Sequence, residues 1–568
     1  MVGRFLTRLA RGFHWRHLIP LALVLALAAG FGPASGASSS TSQVKMGGVV
    51  TIDNVSGSTW TCGFNPYTQA GSAGQAFSAG IMYEPLWYVN ALNNNQRPWL
   101  ATGYSWSRGN RRLTFTIRTG VKWSDGKPLT AADVAFTYNL LKKFKGLDLN
   151  ALWTVLSSVS SSGNKVVINF KKPSVPFFYY IADQTFVLPQ HIWSKIANPV
   201  TYNNPKPVGS GPFLLKSCSN QNIVYMRNPH YWDAPKPYIS EVRYPAFLDN
   251  QPGNLYLAQG KANWGGQFIP NVKAYYLARD TKNRHIWYPP STSNVQLYPN
   301  LTAWPTNILA VRKAISYALD RSQISKLGVY GYLPPANQTA IILPNYKGWY
   351  ARGLANKFNY GYNPSKAISL LQAAGFKKGS DGIFRDNKGR KLSLSILNVG
   401  PFTDWVAEVQ IIVKNLKAIG IDASAENVSG DTHTAREEQG HFQLTYDQPG
   451  GGPTPYYMYY QMLHSANTAP IGKSAPSNFE RFRSGYVDGL LNSYSQTASS
   501  SRQHKIIRNI QRVMLLQVPV IPVLEGIYWF QYDTSQIVGW PTPSNPYATP
   551  PPYNYPDWAV VLTTVHRK

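Results

Sequence analysis

Carboxylates are what this chain has least of. Its 568 residues include 26 aspartates and glutamates against 55 lysines and arginines, and charged residues make up 14% of the total, where ordinary domains carry about 25%. The formal net charge of +29 therefore reflects missing acids rather than added bases. No long Lys/Arg run appears and the basic residues are scattered, which argues against the concentrated basic face of a nucleic-acid binder. Fewer native carboxylates also means less stability lost when they protonate, so an acidic exterior is the expected habitat.

Cysteine is nearly absent as well, with two residues, Cys62 and Cys218. There is no C-x-x-C, no H-E-x-x-H and no G-x-x-x-x-G-K-[ST], and the ten histidines are dispersed, so neither a metal nor a cofactor is expected. Gly209-Ser210-Gly211 lacks the spacing of a G-x-S-x-G nucleophile elbow. No catalytic residue stands out. The longest apolar run, Leu18 to Gly30, falls short of the roughly 20 residues that span a bilayer. With Arg4, Arg8, Arg11 and Arg16 before it and Ser35-Gly36-Ala37 after it, it reads as a secretory signal. In an exported chain Cys62 and Cys218 are free to pair.

What the chain does have is apolar and aromatic residues, at 43% and 13%, with 17 tryptophans and 36 tyrosines. That supports two or three folded domains. Leu113, Phe115 and Ile117 alternate as in a strand, Ser124-Asp125-Gly126-Lys127-Pro128 is a turn, and Thr130 with Asp133 at N3 opens a helix as a capping box. Upstream lies Tyr83-Glu84-Pro85-Leu86-Trp87 at the end of an expected helix from Ala76, and downstream come Leu188-Pro189-Gln190-His191, Val208-Gly209-Ser210-Gly211-Pro212-Phe213, and Arg227-Asn228-Pro229-His230-Tyr231-Trp232. Val311 to Arg321 follows as an amphipathic helix. Glu84 is expected to partner backbone or arginine near a helix end, and His191 to be structural.

Taken together, the W-S-D-G-K-P-L-T-A-x-D-V block and these other elements resemble the extracellular solute-binding proteins, family 5. The resemblance implies an α/β, two-lobed periplasmic-binding-protein-like fold of the class II (cluster C) type, with three subdomains and an interrupted first lobe. The expected division is a signal peptide over 1–37, a tether over 38–47, the first part of lobe I over 48–84 and its small subdomain over 85–202. Lobe I resumes over 203–293, lobe II covers 294–522, and 523–568 return to lobe I.

The same resemblance implies a non-enzymatic, monomeric, exported component of an ABC importer that hands an oligopeptide to a membrane permease and its ATPase. No cysteine follows the apolar run, so no lipid anchor is expected. Segments bordering the interlobe cleft in the resembling proteins nominate Tyr83, Trp87, Trp264, Trp287, Trp405, Asp447, Tyr456, Tyr457 and Trp529 as ligand contacts, with Trp264 and the 447–457 loop foremost. Peptide binders of the family hold the ligand's ammonium with an aspartate in that loop, where this chain has Thr454-Pro455 at the usual aspartate-proline position. A β-linked oligosaccharide stacked on aromatic faces is the alternative ligand; an exported enzyme or a structural surface protein is the remote one.

Overall fold

The computed structural model describes residues 44–54, 57–67 and 78–568. The expected signal, and the tether as far as residue 43, lie outside them, as do Ala76 and Phe77 of the expected first helix. From Ala79 to Tyr83 the chain makes a bridged turn rather than a helix, with Gly80 at a positive φ of 81°. Among the described residues no helix is long and apolar enough to cross a membrane.

Two sheets carry the two lobes. A seven-stranded sheet runs in the order Arg284–Ile286, Gln531–Asp533, Trp264–Gly265, Val49–Asp53, Glu241–Pro245, Asn222–Arg227, Phe213–Cys218. It draws on three separate stretches of sequence, which is the interruption expected of the first lobe. A five-stranded sheet, Asp422–Val428, Ser393–Val399, Leu444–Asp447, Pro290–Pro299 and Ile521–Ile527, forms the second. The strand Ile521–Ile527 pairs with Pro290–Leu297 throughout. The chain therefore crosses back only after Ile527, later than the boundary at 523 drawn from sequence, and it first enters the second sheet at Pro290 rather than 294. At the two crossings the chains run side by side: the Trp287 N–H donates to the Phe530 carbonyl at 3.0 Å and the Tyr528 N–H to the Pro289 carbonyl at 2.8 Å.

The small subdomain is a four-stranded antiparallel sheet, Ala101–Ser107, Arg112–Ile117, Lys165–Phe170, Leu156–Ser162, whose Leu113, Phe115 and Ile117 are buried. Its helix Ala131–Lys143 starts at the capping box: the Thr130 hydroxyl accepts from the Ala132 N–H and the Asp133 carboxylate accepts from the Thr130 N–H at 2.8 Å. The second Asp133 oxygen takes the Gln190 N–H at 3.0 Å, and His191 Nε2 meets Asp125 Oδ2 at 2.7 Å. The turn and cap thus hold the 188–191 element in place.

The remaining sequence hallmarks converge on Glu84. Its carboxylate is fully buried and accepts from Trp99 Nε1 at 2.7 Å, Tyr231 Oη at 2.9 Å, Trp232 Nε1 at 2.9 Å and Ser210 Oγ at 2.6 Å. The expected backbone or arginine partner is replaced by four side-chain donors from three segments, Trp99, Ser210 and the adjacent Tyr231 and Trp232. Gly209 and Gly211 permit this assembly by close approach: a Cβ on either would lie 2.1 Å from the Met82 carbonyl oxygen or 2.3 Å from that of Ile81. Cys62 and Cys218 are joined by a disulfide across 156 residues of sequence.

Candidate functional site

Where the two sheets face each other, two adjoining cavities of about 360 and 260 Å³ share Tyr553 in their walls. The larger is bounded by the small subdomain through Tyr179 and Tyr180, by the return segment at 553–555, and by Thr292, Gly450, Gly451 and Tyr460 of the second lobe. The smaller takes Asn54, Asn250, Gln267 and Phe268 from the first lobe, and Phe402, Asp404, Trp405, Gln448 and Trp529 from the second-lobe side. Polar amides and aromatic faces alternate around both, a lining suited to a polar organic solute with apolar parts. Among the described lining residues Asp404 is the one carboxylate, and there is no lysine or arginine. The chain's positive charge lies elsewhere.

The lobes touch at defined points around this cleft. Asn250 Oδ1 accepts from the Thr403 N–H at 2.8 Å. The Tyr457 hydroxyl donates to the Pro176 carbonyl at 2.8 Å, and its ring packs edge-on against Tyr179 and Tyr180, with centroids 5.0 and 5.3 Å apart. The loop before helix Pro455–Leu463 reaches the strand behind it only because it is glycine: a Cβ on Gly451 would sit 2.1 Å from Thr292 Oγ1.

Of the nine expected contacts, Trp405 and Trp529 line the smaller cavity. Tyr457 and Tyr456 are buried on the helix whose Tyr460 and Gln461 line the larger one; Tyr456 stacks on Tyr494 at 4.6 Å. Trp264 points away. The Trp264 ring packs on Trp540 and donates to the Pro550 carbonyl at 2.9 Å, while Gly266 and Gln267, beyond the end of its two-residue strand, line the cavity. Tyr83 is fully buried, its hydroxyl accepting from Asn204 Nδ2 at 2.8 Å. Trp87 packs edge-on against Tyr104, and Trp287 lies in the crossing segment, bonded to Phe530; neither lines either of the two cavities.

Asp447 joins a different group. His433, Glu437 and Asp447 bring their ligand atoms within 4.8 Å of one another. Thr445 Oγ1 spans them, 3.0 Å from His433 Nε2 and 3.2 Å from Glu437 Oε1. Burial first, then the neighbouring Asp447 carboxylate, push the Glu437 carboxyl well above its ordinary range, and burial lowers His433. The network is hydrogen-bonded internally. It was invisible in the sequence because no metal-type spacing links the helix pair 433/437 to a strand residue ten positions on.

Asp404, Gln267, Phe268 and Tyr553 were not anticipated as site residues. Asp404 sits in the first turn of helix Thr403–Ala418, where a carboxylate reads as a complement to the helix dipole. Its backbone neighbours in that turn are its described hydrogen-bond donors, and burial raises its carboxyl to about 6. One turn on, Glu408 is bonded to the Tyr446 hydroxyl, and burial followed by the Asp404 charge raises it further.

Comparison with known proteins agrees with this architecture. Residues 95–470 match the family model of the bacterial extracellular solute-binding proteins, family 5. The nickel-binding periplasmic protein of Escherichia coli is 26% identical over 389 residues, covering 67% of this chain and 72% of that protein. The oligopeptide-binding protein AppA of Bacillus subtilis is 30% identical over 324 residues, 55% of this chain and 57% of AppA. AppA's structure with a nonapeptide matches with a TM-score of 0.79 at 22% identity, covering 93% of this chain and 100% of that one. The mannohexaose-bound periplasmic oligopeptide-binding protein of Thermotoga maritima has a TM-score of 0.84 at 24% identity, covering 92% and 98%. At these identities the two structures speak to the fold alone, and the fold is the two-lobed α/β one expected. With the family model spanning most of the chain, the protein belongs to the bacterial extracellular solute-binding proteins of family 5.

Proposed function

We propose that this chain is the extracytoplasmic binding component of an ABC importer, that it takes an oligopeptide into the cleft between its lobes, and that it delivers the peptide to a membrane permease and its ATPase. The observation that carries the reading is the cleft: two adjoining cavities walled from both lobes, with aromatic and amide linings and a single carboxylate. Amides satisfy a ligand's backbone groups regardless of its side chains, and open, hydrated space accommodates variation. The two crossings at 287–290 and 527–531 are the hinge, and closure about the ligand makes the contacts at Thr403 and Tyr457. The protein acts as an exported monomer, its leader removed near Ala37, with no lipid anchor and no turnover. The name AppA carries supports a peptide ligand.

A second reading, a β-linked oligosaccharide, draws on the aromatic walls and on the mannohexaose bound by the Thermotoga relative. Because a ligand that binds only the native state raises apparent stability, melting in the presence of peptide or mannohexaose pools separates the two. The peptide reading expects a rise with peptides of three residues or more, recovered intact. A rise with hexose oligomers alone overturns it, and cleaved peptide overturns the assignment as a binder.

A further inference from the structure

The smaller cavity has an electrostatic character that the rest of the cleft lacks. Asp404 is 6% exposed and lines it, and none of its described contacts is a cation or a side-chain donor. On the facing wall, Gln267 spends its amide hydrogens on Asp53 Oδ2 at 3.1 Å and Asn254 Oδ1 at 2.9 Å, which fixes the orientation of the amide. Gln267 Oε1 is left buried without a donor, as is the second Asp53 oxygen behind it. Buried acceptors are normally filled, and Gln267, which holds one unfilled, lines the same cavity as Asp404. Around them stand the faces of Phe268, Phe402, Trp405 and Trp529, with Phe402 and Trp405 meeting edge-on at 5.3 Å and Phe268 and Trp529 at 5.7 Å.

Unfilled acceptors beside a carboxylate that is ionised above about pH 6, inside an aromatic enclosure, are complementary to a group with several N–H donors and a positive charge. A neutral apolar side chain would leave the acceptors unpaired, and an anion would face Asp404. We propose that this cavity is a subsite for a cationic group, the ammonium of a lysine or the guanidinium of an arginine carried by the bound peptide, with Asp404 as its counter-ion. This rests on the peptide reading above and adds that the importer's cargo is basic. Asp404 is then a specificity-determining residue rather than a helix cap. It lies on the helix Thr403–Ala418, outside the 447–457 loop that the sequence nominated for holding charge.

The test is calorimetry on the full exported chain with pentapeptides of alanine carrying one lysine, scanned through the five positions, against the same series with norleucine, which keeps the stem and removes the charge. A charge-assisted hydrogen bond in a shielded site predicts that at one or more positions the lysine peptide binds about tenfold or more tighter. In Asp404→Asn the ratio of lysine to norleucine affinity falls to about one. Asp404→Asn is isosteric, and its melting curve checks that it is folded. Equal binding of the two series, or a lysine preference that survives in Asp404→Asn, overturns the subsite while leaving the peptide reading intact. If neither series binds and mannohexaose does, the peptide reading falls and the subsite with it.

Discussion

The Tyr457 hydroxyl bonds to the Pro176 carbonyl at 2.8 Å, joining a second-lobe helix to the small subdomain of the first across 281 positions of sequence. It bridges the lobes beside the larger cavity, whose walls include Tyr179, Tyr180 and Tyr460. In Tyr457→Phe the ring contacts persist and the hydrogen bond is lost, at a cost of about 1–2 kcal/mol to the closed form. The opening equilibrium should shift roughly five- to thirtyfold toward open. A larger radius of gyration in X-ray scattering of the ligand-free variant, with its melting temperature little changed, is the expected result.

Glu84 ties its own segment to three others, and its two oxygens accept from four donors. Glu84→Ala strands two indoles and two hydroxyls in the interior and should cost at least about 3 kcal/mol. Glu84→Gln keeps an acceptor for the Trp99, Tyr231 and Trp232 donors and should cost about 1–2 kcal/mol. Urea unfolding of both variants checks the ranking, which a merely space-filling side chain would not produce.

Stability should be greatest in acid. Burial raises Asp53 to about 8, Glu84 and Glu525 to about 7, and Asp404 and Asp557 to about 6. Each group is raised above its unfolded value, so its contribution is complete below about pH 4 and is lost as pH climbs through the folded values, between about 6 and 8. Acids of the opposite kind, such as Asp381 beside Arg385, are exposed and matter less. The melting temperature should therefore be highest near pH 4–5 and fall through pH 6–8. A protein that loses its fold by pH 4 would contradict both this and the habitat inferred from the shortage of carboxylates.

The Cys62–Cys218 bond closes a loop of more than 150 residues that runs through the whole small subdomain. Constraint of the unfolded chain over such a span is worth about 3–5 kcal/mol. Cys62→Ser with Cys218→Ser should lower the unfolding free energy by that order, without altering ligand affinity measured at a temperature where both forms are folded.

What sequence could and could not show follows from range. Thr130 and Asp133 were legible because a cap is decided within four residues. The helix at Val311 was legible from its periodicity; the role of Asp404 was not, because a first-turn carboxylate looks the same whether it serves the helix or a ligand. Glu84 was assigned the wrong partners because Trp99, Ser210, Tyr231 and Trp232 come together only after the small subdomain has folded. Trp264 was placed in the cleft, but its two-residue strand is held between Val49–Asp53 and Gln531–Asp533, and the chain reaches the cavity only beyond that strand, at Gly266 and Gln267. The cavity itself joins Asn54, Phe268, Trp405 and Tyr553, and nothing local in the sequence relates them.

The most direct test of the whole account is native mass spectrometry of the exported protein as purified from cells grown on a peptide-rich medium, followed by release and sequencing of whatever it carries. The account predicts bound peptides of three residues or longer, enriched in lysine or arginine. Hexose oligomers in their place, with no peptide released, would contradict it.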